Sequence, residues 1–357
     1  MNSAIYGAKY DSDADFFGTK NGDGLPCAVC RSSSDVTSVM IPARRTCYKS
    51  WRKQYNGYLA TNRDGSYGSK DYICINEDPD SFATAEDHGL RAIFQSTVAS
   101  CGSLACPPYI NYRRLTCVVY ITATMAVQMQ IVLLVLTFNS ANGIEKKLLL
   151  NDPNQMEREI QELRTLVTTL TSQVSAIQQS KGGAQFIRWG KSVCPDNDTE
   201  LVYDGFAAGG YYSNKGAGVN YLCLPRDPLW GINYTGTIYS TIYGAEYDTS
   251  FFGTNNGDDL PCAVCRSRSG VTSMMLPGRN KCYKHWRMQY NGYLATSGDS
   301  FDSSKEYICI NENADAMVGG GHDYNGALFY SVAASCTSLA CPPYISGKRL
   351  TCAVCTK

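Results

Sequence analysis

The chain has 357 residues, with 32 basic and 32 acidic side chains and no net formal charge, so it offers no long-range field to nucleic acid or an anionic membrane. Its 17 cysteines, 25 tyrosines and 32 glycines read as a disulfide-stapled, turn-rich, extracellular protein, because a reducing cytosol keeps thiols open unless they hold metal. No phosphate-binding loop, dinucleotide fingerprint or H-E-x-x-H pattern is present, and the length suits two or three domains.

The opening "MNSAIYGAKYDSDADFF" has no apolar run, which predicts no secretory leader there. Residues 1–120 read as a cysteine-rich β repeat carrying Cys27, Cys30, Cys47, Cys74, Cys101, Cys106 and Cys117. A hydrophobic segment follows at 121–143. From Val118 to Phe138 there is no charge over 21 residues, a length that suits a membrane span at 118–138 and would make a single-pass membrane protein. The preferred reading is an export signal starting at Met125 or Met129. Its apolar core leads to Ala141-Asn142-Gly143, small residues a signal peptidase accepts, and Ile144 then begins the exported part. A buried core helix is the third reading. On the export reading the chain is a fusion of two neighbouring paralogues.

Residues 144–183 predict a coiled coil. Asp152 suits an N-cap, Pro153 the first helical position and Gln155 a capping box. Met156, Ile160, Leu163, Val167, Leu170, Val174 and Ile177 alternate by four and three, a heptad seam ended by Gly182-Gly183. The expected consequence is a homo-oligomer, with the seam leaning to a parallel dimer.

Residues 184–357 read as a complete, mainly β domain. "FIRWGKSVC", "NYLCLP", "KEYICIN" and "ALFYSVAASC" are strand candidates bounded by turn formers. "YNGY" at Tyr290 carries the Asn-Gly signal of a type I′ hairpin, and "CPPY" at Cys341 reads as a stiff turn.

The two cysteine-rich regions are copies. "FFGTKNGDGLPCAVCRS" at Phe16 returns as "FFGTNNGDDLPCAVCRS" at Phe251, and "CYKSWRKQYNGYLAT" at Cys47 as "CYKHWRMQYNGYLAT" at Cys282. The seven cysteines of the first copy recur 235 residues later as Cys262, Cys265, Cys282, Cys309, Cys336, Cys341 and Cys352. The second copy adds about fifty leading residues with Cys194 and Cys223, and ends in Cys355 where the first has Tyr120. Ten cysteines suit five bridges, whereas seven leave at least one thiol over. If Cys194 pairs with Cys223, the first copy lacks one whole bridge and the partner of Cys355. If they pair elsewhere, three orphans result. The fold class expected is thus a disulfide-rich β domain in one complete and one truncated copy, separated by a hydrophobic helix and a short coiled coil.

"RWGKSVCP" (Arg188), "NYLCLPRDP" (Asn220), "IYGAEY" (Ile242), "PCAVC" (Pro261), "GALFY" (Gly326) and "CPPYISGKRLTCAVCTK" (Cys341) occur in order. With these motifs the complete unit resembles the C-terminal noncollagenous domain of sponge spongin-type short-chain collagens and their invertebrate relatives. The match covers about 170 residues of the second copy and about 115 of the first. The resemblance implies an extracellular matrix or secreted protein whose heads are gathered by a rod, usually as trimers. This chain has no Gly-X-Y tract, and the coiled coil stands where the triple helix would be.

Chemistry is sparse. Of three histidines, His285 aligns with Ser50, and His88 and His322 do not align with each other, a poor inventory for acid–base work, so no enzyme is expected. Cys262-x-x-Cys265 and Cys352-x-x-Cys355 have zinc-like or redox-like spacing, but amid so many cysteines plain disulfides are the better reading. "NNGDDLP" at Asn255 places Asp258 and Asp259 as candidate Ca²⁺ or ligand contacts, against an ordinary Asn-Gly-Asp turn. Trp286, Tyr290 and Tyr293 are candidate stacking residues for a glycan, against a core role. Asn197 and Asn233 are glycosylation sequons of a glycoprotein. The expected function is a secreted, oligomeric, non-enzymatic matrix or recognition protein with a glycan or matrix-protein ligand and no nucleic acid. A lectin-like carbohydrate-binding or defence protein is the alternative, and an enzyme the distant third.

Overall fold

Short β-branched and aromatic runs between Gly, Asn and Pro fold as strands throughout the chain. The computed structural model describes residues 8–10, 14–30, 37–46, 48, 51–81, 92–122, 153–180, 183–195, 198–231 and 239–357. In the first half the strands are β1 (Ala8–Tyr10), β2 (Ser38–Pro42), β3 (Trp51–Thr61), β4 (Ile73–Asn76), β5 (Ala92–Ala99) and β6 (Thr116–Thr122). A helix, α1 (Pro153–Ser180), follows. The second half opens with β7 (Gln185–Trp189), β8 (Thr199–Gly209) and β9 (Leu222–Pro225). It continues with β10 (Ser240–Tyr247), β11 (Asp258–Asp259), β12 (Pro261–Ser267), β13 (Ser273–Pro277) and β14 (Arg287–Thr296). It ends with β15 (Ile308–Asn311), β16 (Ala327–Ser331) and β17 (Thr351–Thr356). The chain is mainly β, and all four strand candidates of residues 184–357 are strands.

Strand pairings recur at the sequence offset. Pro42 faces Cys117 as Pro277 faces Cys352, and Gly57 faces Asn76 as Gly292 faces Asn311. The long central strands β3 and β14 even slip register at matching places, between Lys53 and Tyr55 and between Met288 and Tyr290. Two bridges recur as well: Cys74–Cys117 with Cys309–Cys352, and Cys101–Cys106 with Cys336–Cys341.

The halves share a core. β10 pairs in parallel with β16 through Ala245–Tyr247 and with β5 through Ser240–Ile242. Ile41, Trp51, Val118 and Tyr120 pack in one buried cluster with Tyr203, Tyr221 and Phe329. Each such side chain contributes about 1.5–3 kcal/mol by leaving water. Arg44 pairs with Asp227, and the Tyr109 hydroxyl donates to the Pro225 carbonyl at 2.7 Å. Asp64 of the first half accepts from the Ser240 hydroxyl and the Thr241 amide, both at 3.1 Å.

Two expectations are corrected here. Val118–Thr122 belong to β6, hydrogen-bonded to β2 and β3, with Val118 and Tyr120 buried. A membrane span over 118–138 therefore does not form as drawn. Apolar residues that look helical by hydropathy form the strand β6. The rest of the hydrophobic segment, and with it the export-signal reading, lies outside the described residues. No helix among the described residues is long and apolar enough to cross a membrane.

The second correction concerns "YNGY". Asn291-Gly292 lies inside β14, not in a turn. A Cβ at Gly292 would stand 1.7 Å from the Ile310 carbonyl oxygen, so glycine is needed there for close backbone approach between β14 and β15. Gly57 meets the Ile75 carbonyl in the same way, at 1.7 Å.

Candidate functional site

Seven disulfides stand among the described residues, which points to an extracellular or otherwise oxidising compartment. Cys194 pairs with Cys265, Cys223 with Cys262, and Cys282 with Cys355. The Cys194–Cys223 alternative is thereby set aside. Their first-half counterparts lack these partners: Cys27 and Cys30 are free and exposed, and Cys47 lies outside the described residues. The paired cysteines of Cys262-x-x-Cys265 and Cys352-x-x-Cys355 leave no four-thiolate zinc set.

The geometry behind this is a ribbon. β12 runs between β7 and β8, hydrogen-bonded to both; its Cys265 is bonded to Cys194 in the β7–β8 connection and its Cys262 to Cys223 of β9. Phe186 of β7 then packs among Cys265, Tyr290, Cys309 and Val354. The Tyr290 hydroxyl donates to the Ile187 and Cys309 carbonyls at 2.8 and 3.0 Å. Tyr290 is therefore a core residue and presents no face to a ligand.

Tyr293 meets Phe251 edge-on at 4.8 Å between ring centroids, and Trp286 is half-buried with the Lys357 ammonium 6.0 Å from its ring. Both sequons, Asn197 and Asn233, lie outside the described residues.

Asp258 and Asp259 sit beside a cavity of about 360 Å³ between the Cys101–Pro107 loop of the first half and the Met317–Tyr324 loop of the second. Asp259 and His322 line it; Asp258 is engaged in a turn, accepting from the Asn255 amide at 2.8 Å. Glu246, opposite Asp259 in the β10–β11 register, is buried and accepts from the Tyr324 and Asn325 amides at 3.2 and 3.1 Å. Burial, with Glu246 and Asp258 adding to it, pushes the Asp259 carboxyl up to about 8. Burial thus favours the protonated Asp259 carboxyl, and the stability this contributes fades as pH rises from the usual carboxylate range through about 8.

Asp258 is held by the Asn255 amide and Glu246 by two further amides, which leaves few carboxylate oxygens free for Ca²⁺. Among the described residues, no group of three or more His, Cys, Asp or Glu is arranged to hold a metal ion. Cys101 and Cys106 on the cavity wall are bonded to each other, so they supply no nucleophile. Glu246 was not singled out from sequence. Its signal was a difference between copies, "GAEY" against "GAKY", which matches "GDDLP" against "GDGLP".

Helix α1 carries the seam. Ile160, Leu163, Val167 and Leu170 are 45%, 60%, 60% and 47% exposed, an uncovered apolar stripe. The side chains of Met156, Val174 and Ile177 lie outside the described residues. Thr165, Thr168, Thr169 and Thr171 turn their hydroxyls back onto carbonyls four residues earlier, which lets a threonine-rich helix satisfy its own polar groups. No family model matches the chain.

Proposed function

We propose that this is a secreted, non-enzymatic matrix or recognition protein in which α1 gathers disulfide-stapled β heads into a homo-oligomer. The observation that carries the reading is the exposed stripe of Ile160, Leu163, Val167 and Leu170. An apolar seam at 3.5-residue spacing left in water costs solvation that a second helix recovers by knobs-into-holes packing. Seven bridges suit an oxidising compartment. Recurring registers and bridges support a duplicated unit, complete in the second half and truncated in the first. Gathering heads raises weak contacts to useful avidity without new chemistry. The family resemblance to spongin-type collagen heads fits the same arrangement, with the coiled coil in place of a triple helix.

Sedimentation equilibrium of the full chain tests this. The native chain is expected as a dimer or trimer at micromolar concentration. Leu163→Asp with Leu170→Asp should weaken association at least ~100-fold, because two charges then face the seam. Near-UV circular dichroism of the heads should not change. A native chain that sediments as a monomer at micromolar concentration removes the proposal.

A further inference from the structure

We propose that the first half carries an open docking groove for a two-cysteine β-ribbon supplied from outside residues 1–357, sealed by disulfides from Cys27 and Cys30. The inference rests on reading the two halves as copies of one unit. In the second half the ribbon of β7 and β8 lies on both sides of β12, and its Phe186 fills the space bounded by Cys265, Tyr290, Cys309 and Val354. The first-half counterparts of those four residues are Cys30, Tyr55, Cys74 and Val119, and all four line a cavity of about 740 Å³.

The uncovered state is visible residue by residue. Val264 is 3% exposed in β12, whereas its counterpart Val29 is fully exposed. Pro26–Cys30 form no strand, while Pro261–Cys265 are sandwiched between two. Tyr290 is 4% exposed and Tyr55 is 36% exposed. Tyr55 keeps the matching bond to the Cys74 carbonyl, at 3.2 Å, but among the described residues the acceptor that Ile187 supplies to Tyr290 has no equivalent.

The occupant follows from the filled copy. It is a β-ribbon of the pattern of residues 185–225, with an aromatic residue for the cavity and two cysteines placed as Cys194 and Cys223. The chain's own ribbon is committed, since those two cysteines are already bonded to Cys265 and Cys262. The ribbon therefore comes from outside residues 1–357. Its cysteines would meet Cys27 and Cys30 in the same order, Cys223-type to Cys27 and Cys194-type to Cys30. Sealing removes four hydrogens from four thiols, so it needs two equivalents of a disulfide oxidant. With glutathione disulfide, a Cys27 thiolate attacks one sulfur and releases glutathione. The ribbon thiolate then attacks the mixed disulfide and releases the second glutathione, and Cys30 repeats the sequence.

The test mixes the full chain with an isotope-labelled peptide of residues 183–231 in a glutathione redox buffer. The expected product is a one-to-one covalent adduct whose digest contains Cys27–Cys223 and Cys30–Cys194 of the peptide. A peptide of scrambled order with the same two cysteines should give at least tenfold less adduct. A peptide with Cys194→Ser and Cys223→Ser should slow alkylation of Cys27 and Cys30 at least tenfold, which reads docking without the covalent step. Equal adduct from the scrambled peptide, or closure of Cys27 on Cys30 with no adduct, overturns the proposal. If uptake fails while Cys74–Cys117 and Cys101–Cys106 are found in the digest, docking is wrong and the copy reading stands. If those two bridges are absent, the copy reading itself fails.

Discussion

Replacing Cys223 and Cys262 together by alanine is expected to destabilise the second half by about 2–4 kcal/mol. The bridge closes 39 residues of chain, and its loss returns that loop's entropy to the unfolded state. Both sulfurs are buried, at 2% and 0% exposure, so truncation also leaves unfilled space beside β12. Removing Cys194–Cys265 as well leaves the ribbon held to β12 by hydrogen bonds and packing alone, for a combined cost of about 4–8 kcal/mol, comparable with the whole stability of many domains. The comparison is Cys336–Cys341, which closes only five residues. Its removal should cost clearly less than either ribbon bridge. Guanidinium unfolding followed by near-UV circular dichroism reads all three variants. Equal midpoints for the ribbon and short-loop variants would contradict the role given to the ribbon.

The second large effect is expected at Gly292→Ala, at least about 3 kcal/mol, because the clash is with backbone. The added methyl would lie 1.7 Å from the Ile310 oxygen and 2.7 Å from its carbonyl carbon. β15 is poorly placed to yield, since β14 pairs on one side, β7 meets it at Ile310, and Cys309–Cys352 ties it to β17. Gly57→Ala makes the same clash with Ile75. There β4 pairs with β3 and has no counterpart of β7 among the described residues. It can move into the open groove, so the first-half substitution should cost about half as much or less. Unfolding midpoints of the two single variants in the full chain decide this. A Gly57→Ala penalty equal to that of Gly292→Ala would mean the groove gives no room.

Much of this was legible before any coordinates. Alternation in "KEYICIN" and "ALFYSVAASC" led directly to β15 and β16, since β-branched and aromatic residues between turn formers have few other solutions. The odd cysteine count of the first copy announced orphan thiols, and Cys27 and Cys30 are free. Other features depended on tertiary partners. Asn-Gly in "YNGY" matched a local hairpin template, yet Gly292 answers to Ile310, eighteen residues away, which no local pattern contains. Val118–Thr122 looked like the start of an apolar helix because a short apolar run has no periodicity to separate helix from strand. Bridge connectivity was closed to inspection for the same reason, because Cys194 and Cys265 are 71 residues apart. Of the aromatic candidates Tyr290 is buried, and its hydroxyl partners are backbone carbonyls of other strands.

On the proposed duplication, one cysteine pattern builds a closed unit in the second half and an open one in the first. Bridge mapping by mass spectrometry of the unreduced full chain, after alkylation of free thiols, tests it most directly. The predicted map holds Cys194–Cys265, Cys223–Cys262, Cys282–Cys355, Cys309–Cys352, Cys336–Cys341, Cys74–Cys117 and Cys101–Cys106, with Cys27 and Cys30 alkylated. A Cys194–Cys223 bridge, or bound zinc with Cys262, Cys265, Cys352 and Cys355 all alkylated, would contradict it.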